Sequence, residues 1–408
     1  MSVKNDFPFL NKGVTYLDNC ATTLKPKCVI DEVYNYYKNF SSNSGRGSYD
    51  TSLMVDNIIY NTRKKVAKFI NAKSPYEIIF TSGTTFGLNM VINGYFLNYL
   101  KPGDEVLTTK AEHASLLLPL FNVCKKTRAS VRYIDLDNNL KVTLDNVKKA
   151  INKNTRVISL AHVTNVIGDE RPIKEIIELA HKNNILVLID GAQSVPHNKI
   201  DVQKLDIDFL CFSGHKMLGP TGIGVMYAKK ELLDIMNPYM VGGGSTTYFD
   251  SLMNISYNDI PYKFEAGTLN IAGIFGLFKA IDYLNIVGMD YVKKWEIELK
   301  KYAIDKLSTI NNINIFNKDE NNGIITFNVS GTECDLIAKH LNNKGIYIRV
   351  GSHCAKALSE VIGVNSTCRI SFYLYNTKKD VDDLYNALCC FNESRRDDYE
   401  KTFKEKEE

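Results

Sequence analysis

The chain has 408 residues, of which 44% are hydrophobic and 24% are charged, and its formal net charge is +4. This composition is typical of a globular protein large enough for two domains, and the small net charge without a lysine-rich block gives no reason to expect nucleic acid as a partner. The N-terminal stretch MSVKNDFPFLNKG lacks the apolar core of a signal peptide, and no run approaches 18 apolar residues. We therefore expect a cytoplasmic protein without a membrane span.

Between about residues 77 and 228 the sequence alternates short apolar runs with segments of helical periodicity. The apolar runs are EIIF (77–80), EVLTT (105–109), SVRYI (130–134), RVISLAHV (156–163), ILVLI (185–189), DFLCF (208–212) and GVMYA (224–228). Several of them are apolar at consecutive positions, as in strands that are buried on both faces. The pattern predicts an α/β domain with a mostly parallel, seven-stranded sheet, in which ligands bind at the carboxyl ends of the strands.

After about residue 275 the pattern changes to that of a smaller α+β domain. Helical segments (276–309) precede a strand (323–329), a helix (333–343), two further strands (346–350 and 367–374) and an amphipathic helix (377–391). We expect a larger domain over 15–275 and a smaller domain over 276–391 that also contains residues 1–14. The charged segment 392–408 is predicted to be a solvated or disordered tail.

Two charged residues follow neighbouring strands of the predicted sheet. Asp190 ends the strand in ILVLIDGAQ, and Lys216 lies in the glycine-rich turn FSGHKMLGPTGIG. Taken singly, Asp190 is as readily a helix N-cap and Lys216 a surface lysine. Together in one crevice they fit pyridoxal phosphate, which forms a Schiff base with a lysine and needs an anion at its ring nitrogen. Desolvation there would make Lys216 a usable nucleophile and base.

Three other strand ends carry polar residues that the same cofactor can use. Thr84 and Thr85 lie where a helix begins after a strand, and free amides and hydroxyls at such a position bind phosphate. His113 follows the next strand and can stack on a flat ring, while Asn165 can donate to a phenolic oxygen. Each residue also has a plain alternative as a helix cap or a satisfied polar side chain, so the interpretation depends on the combination.

The motifs resemble the class V aminotransferase family and, within it, the cysteine desulfurases of the SufS type, also called group II NifS-like. They run in family order from about residue 15 to 375: YLDNCATTLKP (16–26), FTSGTT, EHAS, HVTNVIG, DGAQSVPH, SGHKMLGPTGIG, FEAGTLN, RVGSHCA and RISFYLYNT. The resemblance implies fold type I of pyridoxal phosphate enzymes, a homodimer, and conversion of L-cysteine to L-alanine. It also implies sulfur transfer to a SufE-like or SufU-like acceptor protein for iron–sulfur cluster assembly.

The resemblance further implies a role for each matching residue. Lys216 would form the Schiff base and act as general base, Asp190 would pair with the ring nitrogen, and His113 would stack on the ring. The remaining cofactor contacts would come from Asn165 and Gln193 at the phenolic oxygen, from Thr84, Thr85, Ser213 and His215 at the phosphate, and from Gly267 and Thr268 at the phosphate of the partner subunit. Arg369 would clamp the substrate carboxylate, with Arg349, Arg46 and Asn165 also in the substrate site.

Cysteine usage excludes a disulfide framework or a zinc site, because the nine cysteines are scattered and form no CxxC pair. We expect reduced thiols that are mostly small core residues. Without the resemblance, Cys354 is more readily interpreted as a structural thiol. With the resemblance, Cys354 matches the cysteine that accepts sulfur as a persulfide. His353 would assist the deprotonation of Cys354 or merely line its loop. That loop is short, as in group II enzymes, which are expected to be slow alone and stimulated by a sulfur acceptor.

Alternatives to a desulfurase are left open by the sequence. A selenocysteine lyase uses the same scaffold, and it would act on L-selenocysteine. An isopenicillin-N-epimerase-like or kynureninase-like enzyme would share Lys216 and Asp190 but have no use for Cys354. A non-catalytic scaffold would be expected to have lost at least one of these residues. The chain departs from the family pattern at NSGRGSY (43–49), where glycine and tyrosine replace histidines around Arg46, and at Ser352, where histidine is common.

Overall fold

The computed structural model describes residues 3–45, 47–318 and 321–404, with side chains up to residue 391. It contains two compact units. The larger unit comprises Lys25–Thr164 and Asp169–Asp290, and the smaller unit comprises Met1–Leu24, Asn165–Gly168 and Tyr291–Glu408. The predicted domain boundary between residues 275 and 276 stays a prediction.

The secondary structure consists of fifteen strands and thirteen α-helices in the described part of the chain. The strands are β1 (Thr15–Tyr16), β2 (Ile78–Thr81), β3 (Glu105–Thr108), β4 (Ser130–Tyr133), β5 (Thr155–Ala161), β6 (Leu186–Asp190), β7 (Phe209–Ser213), β8 (Gly224–Ala228), β9 (Thr246–Phe249), β10 (Ile255–Tyr257), β11 (Ile313–Ile315), β12 (Ile324–Val329), β13 (Ile346–Tyr347), β14 (Arg349–Gly351) and β15 (Thr367–Ser371). The helices are α1 (Lys27–Asn35), α2 (Asp50–Phe69), α3 (Thr84–Val91), α4 (Leu97–Tyr99), α5 (Ala114–Thr127), α6 (Leu144–Ala150), α7 (Ile173–Lys182), α8 (Lys230–Ile235), α9 (Ile271–Val287), α10 (Met289–Leu307), α11 (Cys334–Asn343), α12 (Lys356–Ile362) and α13 (Lys378–Lys404). Taken singly, none of these helices has the length and apolar character of a membrane span, although α9 and α10 reach both when they are counted together as a bent pair.

The larger unit is built on a seven-stranded sheet in the order β2-β8-β7-β6-β5-β3-β4. Neighbours are parallel from β7 through β4, and β8 runs antiparallel to both β2 and β7. All seven apolar runs predicted between residues 77 and 228 are strands of this sheet. The predicted fold class, α/β with a mostly parallel sheet, is therefore confirmed.

Helices pack on this sheet through apolar faces that the sequence already displays. In α7 the buried residues Ile173, Ile176, Ile177 and Ala180 recur at the spacing of one helical face. On the sheet, Leu188 and Phe209 belong to a core cluster and are themselves completely buried. Burying each such side chain contributes about 1.5–3 kcal/mol, so the sheet gives the strand ends a rigid base.

The smaller unit contains an antiparallel sheet in the order β11-β12-β15-β14 and a parallel pair formed by β1 and β13. The single strand expected over 346–350 is wrong: the chain is divided there into β13 and β14, which join different sheets. The helix predicted over 377–391 continues as α13 to Lys404, so the segment 392–404 has helical backbone where a tail was expected. The final residues of the predicted tail, 405–408, lie outside the described residues.

A hairpin formed by β9 and β10 in the larger unit was not predicted from the sequence. Its strands have four and three residues, which is too short to establish an alternating pattern. The hairpin exposes large apolar side chains, and Phe249, Leu252 and Met253 are 73%, 77% and 88% exposed. Apolar exposure on this scale is typical of an interaction surface.

A charged network at the end of α7 predicts a pH-dependent contribution to stability. His181 lies 2.9 Å from Asp206 through Nδ1 and 2.9 Å from Asp208 through Nε2, and Lys229 pairs with both carboxylates. The hydrogen bond to Asp208 is the largest cause that raises the pKa of His181. Because the pKa of His181 is raised in the folded protein, its protonated form stabilises the fold. This stabilisation is complete below the pKa of histidine in the unfolded chain, about 6.5, and is lost as the pH rises through the pKa of His181 in the folded protein.

We therefore expect His181→Gln to destabilise the protein by about 1 kcal/mol at pH 6 and by less at pH 9, because the wild-type histidine is neutral at the higher pH. Thermal unfolding of both proteins at the two pH values measures this difference. Equal losses in Tm at pH 6 and pH 9 would contradict the assignment.

Candidate active site

The structure brings several of the predicted cofactor residues to one edge of the larger unit's sheet. Thr84 is the first residue of α3 after β2, and His113 is the N-cap of α5 after β3. Asp190 is the last residue of β6, and Lys216 lies in the short 3-10 turn Gly214–Lys216 after β7. These four strands point the same way, so their carboxyl ends form a common rim.

Asp190 is a buried carboxylate at the centre of this rim. Its side chain is 4% exposed, and Oδ1 accepts a hydrogen bond of 2.9 Å from the backbone N–H of Ala192. Burial raises the pKa of Asp190 to about 6, while the Ala192 N–H and the charge of Lys216 act in the opposite direction. Asp190 and Lys216 are thus within electrostatic reach of one another, and the carboxylate would be stabilised by a cationic partner. Gln193 follows on the same turn and is likewise buried.

The N-terminus of α3 meets the end of β7 in a group of small polar residues. The backbone N–H of Thr84 donates to Oγ of Ser213 at 2.8 Å, and the two hydroxyls lie 2.6 Å apart. A Cβ on Gly224 would lie 2.5 Å from Cα of Gly83, so a glycine is required where β8 approaches this loop. Hydroxyls at a helix N-terminus bind anions, and Thr85 extends the group through its 2.7 Å contact with Ser115.

A basic cluster adjoins these hydroxyls and contains one residue that the sequence analysis missed. Nζ of Lys25 donates at 2.9 Å to the carbonyl oxygen of His215, the residue before Lys216. Burial lowers the pKa of Lys25 to about 7. Burial, followed by the charges of Lys216 and Lys25, lowers the pKa of His215 to about 4. An anion bound at this corner would relieve the repulsion between these basic groups and would favour their protonated forms.

The residue before His113 in the chain forms a buried ion pair. Glu112 and Arg171 are completely buried and lie 2.6 Å apart, and Glu112 also accepts from the backbone N–H of Ala161 at 2.7 Å. Nδ1 of His113 accepts from the N–H of Ser115 at 3.1 Å, which assigns the imidazole proton to Nε2 when the ring is neutral. The sequence signal for Glu112 was a charged residue four positions after the end of β3.

The chemistry of these groups fits pyridoxal phosphate. The buried Asp190 carboxylate suits a protonated ring nitrogen, the Lys216 amine suits an aldehyde, and the hydroxyls and amides at the start of α3 suit a phosphate. The imidazole of His113 adds a flat face. The rim therefore defines a candidate site for a phosphorylated carbonyl cofactor of a lysine-dependent enzyme.

The position of Lys25 predicts a measurable effect on the cofactor. Lys25→Met removes the donor that holds the His215 carbonyl, so we expect the turn carrying Lys216 to loosen and the dissociation constant for pyridoxal phosphate to rise about tenfold. Lys27→Met, which changes an exposed lysine two residues away, is the matched control. Equal cofactor dissociation constants for the two variants, measured by absorbance titration, would refute this role for Lys25.

The predicted substrate arginines lie together in the smaller unit. Arg349 on β14 binds Asp18 through Nε at 3.0 Å to both carboxylate oxygens and through a terminal nitrogen at 2.8 Å. Arg369 on β15 is 3% exposed and approaches the same carboxylate at 3.5 Å. Its other terminal nitrogen donates to the backbone oxygen of Asn165 at 2.8 Å, and its Nε has no hydrogen-bond partner among the described residues.

Cys354 is exposed on a loop whose preceding residue, His353, is held by two hydrogen-bonding contacts. Nδ2 of Asn165 donates to the backbone oxygen of His353 at 2.8 Å, and Nε2 of His353 lies 2.9 Å from Oγ1 of Thr367. His353 and Cys354 both have left-handed backbone, with φ of 52° and 59°. Two such residues in succession cost of order 1–3 kcal/mol each and persist only where the surroundings hold them.

The imidazole of His353 is buried and remains neutral. Burial first, and then the charge of Arg369, lowers the pKa of His353 to about 3. A ring with so low a pKa is a poor proton acceptor for a thiol at neutral pH. Of the two roles considered for His353, the structure therefore favours the lining of the loop.

The other cysteines lie mostly in the interior, as expected. Cys20, Cys124, Cys211, Cys334 and Cys368 are buried, Cys28 and Cys389 are partly exposed, and Cys390 is exposed on α13. All nine cysteines are free thiols.

Two more of the predicted residues line a cleft of about 910 Å³ in the larger unit. Gly267 and Thr268 line it, and Oγ1 of Thr268 accepts from Nδ2 of Asn43 at 3.2 Å. The buried, bidentate pair between Arg63 and Glu265 anchors the same loop at 2.8 and 2.7 Å, and sequence reasoning had missed it. Arg46 lies outside the described residues, and its neighbours Gly45 and Gly47 line the cleft.

Comparison with known proteins agrees with this assignment. The family model for class V aminotransferases matches residues 15–384, so the chain belongs to the class V aminotransferase family. It is 41% identical over 391 residues to a probable cysteine desulfurase of Halalkalibacterium halodurans, with 95% of this chain and 96% of the relative covered. It is 37% identical over 410 residues to a cysteine desulfurase of Haloferax volcanii, with 95% of each chain covered.

Solved structures of cysteine desulfurases have the same fold. The chain superimposes on the cysteine desulfurase CsdA of Escherichia coli with a TM-score of 0.90 and 35% identity, covering 96% of this chain and 97% of the other. For the enzyme of Thermococcus onnurineus the TM-score is 0.91 and the identity 33%, with 95% and 96% covered.

Proposed function

We propose that this protein is a pyridoxal phosphate-dependent cysteine desulfurase that converts L-cysteine to L-alanine and holds the sulfur as a persulfide on Cys354. The observation that carries the proposal is the exposed Cys354 thiol on a braced loop beside two arginines. Similarity to cysteine desulfurases over 95% of the chain supports it.

The side chains have complementary tasks in the proposed reaction. Pyridoxal phosphate, when bound, supplies an electron sink next to the substrate Cα. The Lys216 amine takes the Cα proton and returns it, which requires a neutral amine in a desolvated site. The buried Asp190 carboxylate holds a positive charge on the ring nitrogen. Arg369 binds and orients the α-carboxylate of the substrate.

Sulfur transfer is assigned to the Cys354 thiolate. The thiolate attacks the substrate sulfur, the bond between that sulfur and Cβ breaks, and its electron pair stays with the carbon fragment. The carbon fragment takes up protons and leaves as alanine, while Cys354 retains the added sulfur.

The length of the Cys354 loop supports the SufS-type assignment. Four residues separate β14 from α12, and Cys354 is the third of them. Such a short connection limits the travel of Sγ, so we assign removal of the sulfur to an acceptor thiol that approaches the exposed Cys354. A SufE-like or SufU-like protein is the proposed acceptor, iron–sulfur cluster assembly the proposed destination, and the cytoplasm the proposed location.

A homodimer is the proposed assembly. The hairpin of β9 and β10 exposes Phe249, Leu252 and Met253, and the segment of α1 and α2 exposes Tyr34 and Tyr37 as well. A second copy that covers these apolar groups accounts for their exposure in one chain, and the cleft around Thr268 fits the predicted contact with a partner's cofactor. Sedimentation equilibrium measures the predicted mass of two chains.

The function is tested by measuring alanine release. Wild-type protein with L-cysteine and a reductant should form alanine, and Cys354→Ala should reduce the rate to background, since it removes the thiol that accepts the sulfur. An acceptor protein should raise the wild-type rate only. Alanine formed from L-selenocysteine alone, and undiminished in Cys354→Ala, would instead identify a selenocysteine lyase.

A further inference from the structure

The buried ion pair of Glu112 and Arg171 has no task in the proposed reaction, although it lies close to Asp190. Both side chains are completely buried, and their charged atoms are 2.6 Å apart. Oγ1 of Thr109 joins them, since it donates to Glu112 at 2.6 Å and accepts from Arg171 at 3.0 Å. Removal of two charges from water offsets much of their attraction, so such a pair contributes little net stability by itself.

The pair completes the sheet at the strand position next to Asp190. Ala161, the last residue of β5, is the register partner of Asp190 on β6. The pairing of β5 with β3 ends three residues earlier, at Ile158. Glu112 accepts from the N–H of Ala161 at 2.7 Å, and Arg171 donates to the carbonyl oxygen of Ala161 at 3.0 Å. The two side chains therefore occupy the place that a continued β3 would take.

The next residue of the chain connects this pair to Asp190 through the backbone. The N–H of His162 donates to the carbonyl oxygen of Asp190 at 3.0 Å, on the β6 side. The N–H of Arg171 donates to the carbonyl oxygen of His162 at 3.0 Å. Arg171 thus supports the segment beside Asp190 with its main chain as well as with its guanidinium.

Charged groups act on Asp190 from three segments of the larger unit. Burial raises the pKa of Asp190 to about 6, and among the neighbouring charges Lys216 and Arg171 lower it while Glu112 raises it. Cys211, the register partner of Asp190 on β7, stays a neutral thiol, because burial and then the charge of Asp190 raise its pKa. The charges of Glu112 and Arg171 are adjacent and opposite, so their effects on Asp190 largely cancel.

We propose that Glu112 and Arg171 are a positioning pair for the cofactor: they fix the backbone beside Asp190 and add no net charge, so that Asp190 meets the ring nitrogen as a carboxylate. Charge-assisted hydrogen bonds are shorter and stronger than neutral ones, which suits a rigid support. Neither residue would serve alone, since one unpaired charge would shift the ionisation of Asp190. The inference rests on the proposed function in that Asp190 is taken as the partner of the ring nitrogen.

The test is an absorbance titration of the cofactor-loaded protein without substrate. The absorbance of bound pyridoxal phosphate changes when the nitrogen that joins it to Lys216 gains a proton, and the midpoint pH depends on nearby charge. We expect Glu112→Gln to lower this midpoint by about one pH unit, because the charge of Arg171 is then uncompensated. Arg171→Gln should raise the midpoint by a similar amount. The double variant Glu112→Gln/Arg171→Gln should return it to near the wild-type value.

Folding and net charge are controlled separately. Glu112→Gln keeps a hydrogen-bond acceptor in place, and Asp169 remains 3.4 Å from Arg171, so we expect this variant to fold. Glu105→Gln and Arg156→Gln break ion pairs at the opposite ends of β3 and β5, and each should leave the midpoint unchanged.

A purely structural pair predicts a different pattern of midpoints. Loss of support would move both single variants in the same direction or leave both unmoved, and the double variant would be at least as impaired as either. Each of these results would overturn the proposal. If one single variant does not load cofactor, the shift of the other and its reversal in the double variant decide. Because no substrate is present, failure of wild type to release alanine would defeat the proposed function and leave this titration readable.

Discussion

Replacing Lys216 by alanine is expected to reduce alanine formation from L-cysteine by at least about 10³-fold. The turn that carries Lys216 is anchored by Lys25 and follows β7 directly, so the amine projects from a rigid position. Its removal deletes the group that takes and returns the Cα proton, and general acid–base catalysis alone accounts for about 10²–10⁴-fold. Steady-state rates of alanine release, at saturating cofactor, measure this effect.

A matched lysine variant shows whether the loss is specific. Lys230→Ala changes an exposed lysine on α8 that pairs with Asp234 one turn away, and it should leave the rate unchanged. The absorbance of bound cofactor should also change in Lys216→Ala, because no other lysine is assigned to the aldehyde. Substantial alanine release by Lys216→Ala would contradict the assignment of this residue.

Asp190→Asn is expected to separate activity from stability. The amide keeps the shape of the side chain and can still accept from the Ala192 N–H, but it cannot hold a positive charge on a ring nitrogen. Loss of such a preorganised charge costs about 10²–10³-fold in rate. We therefore expect kcat to fall by that amount while cofactor remains bound.

Although Asp190→Asn should lower kcat, it should not lower the stability of the cofactor-free protein. Burial raises the pKa of Asp190 to about 6, so above the unfolded value of about 3.9 the carboxylate opposes folding. At pH 8 the neutral amide removes this cost, and Asp190→Asn should have a Tm equal to or above that of wild type. A large decrease in Tm together with unchanged kcat would show that Asp190 has a structural role instead.

The sequence predicted the parts of the fold that depend on local patterns. Strands buried on both faces, such as β6 and β7, appear as uninterrupted apolar runs, and every such run between residues 77 and 228 is a strand. The β9–β10 hairpin was not predicted, because its short strands mix polar and apolar residues. The separation of β13 from β14 depends on strand partners far away in the chain, which no local pattern reveals.

The same distinction applies to the candidate site. Lys216, Asp190 and Cys354 could be predicted because they follow strands and match family motifs. Asp18 and Lys25 lie in the quoted motif YLDNCATTLKP but were assigned no role, since their partners Arg349 and His215 are 331 and 190 residues away. Glu112 and Arg171 form a buried ion pair. The sequence shows two separate charged residues there, and it does not show that they contact each other.

The persulfide on Cys354 is the central claim, and intact-protein mass spectrometry tests it most directly. Purified, reduced protein loaded with cofactor would be incubated with L-cysteine, with wild type and Cys354→Ala treated side by side and Cys390→Ala as the control for an exposed thiol. We predict a mass increase of one sulfur atom that maps to Cys354, is absent from Cys354→Ala and is retained in Cys390→Ala. Alanine release by wild type without any sulfur adduct, or an adduct of equal size in Cys354→Ala, would contradict the account.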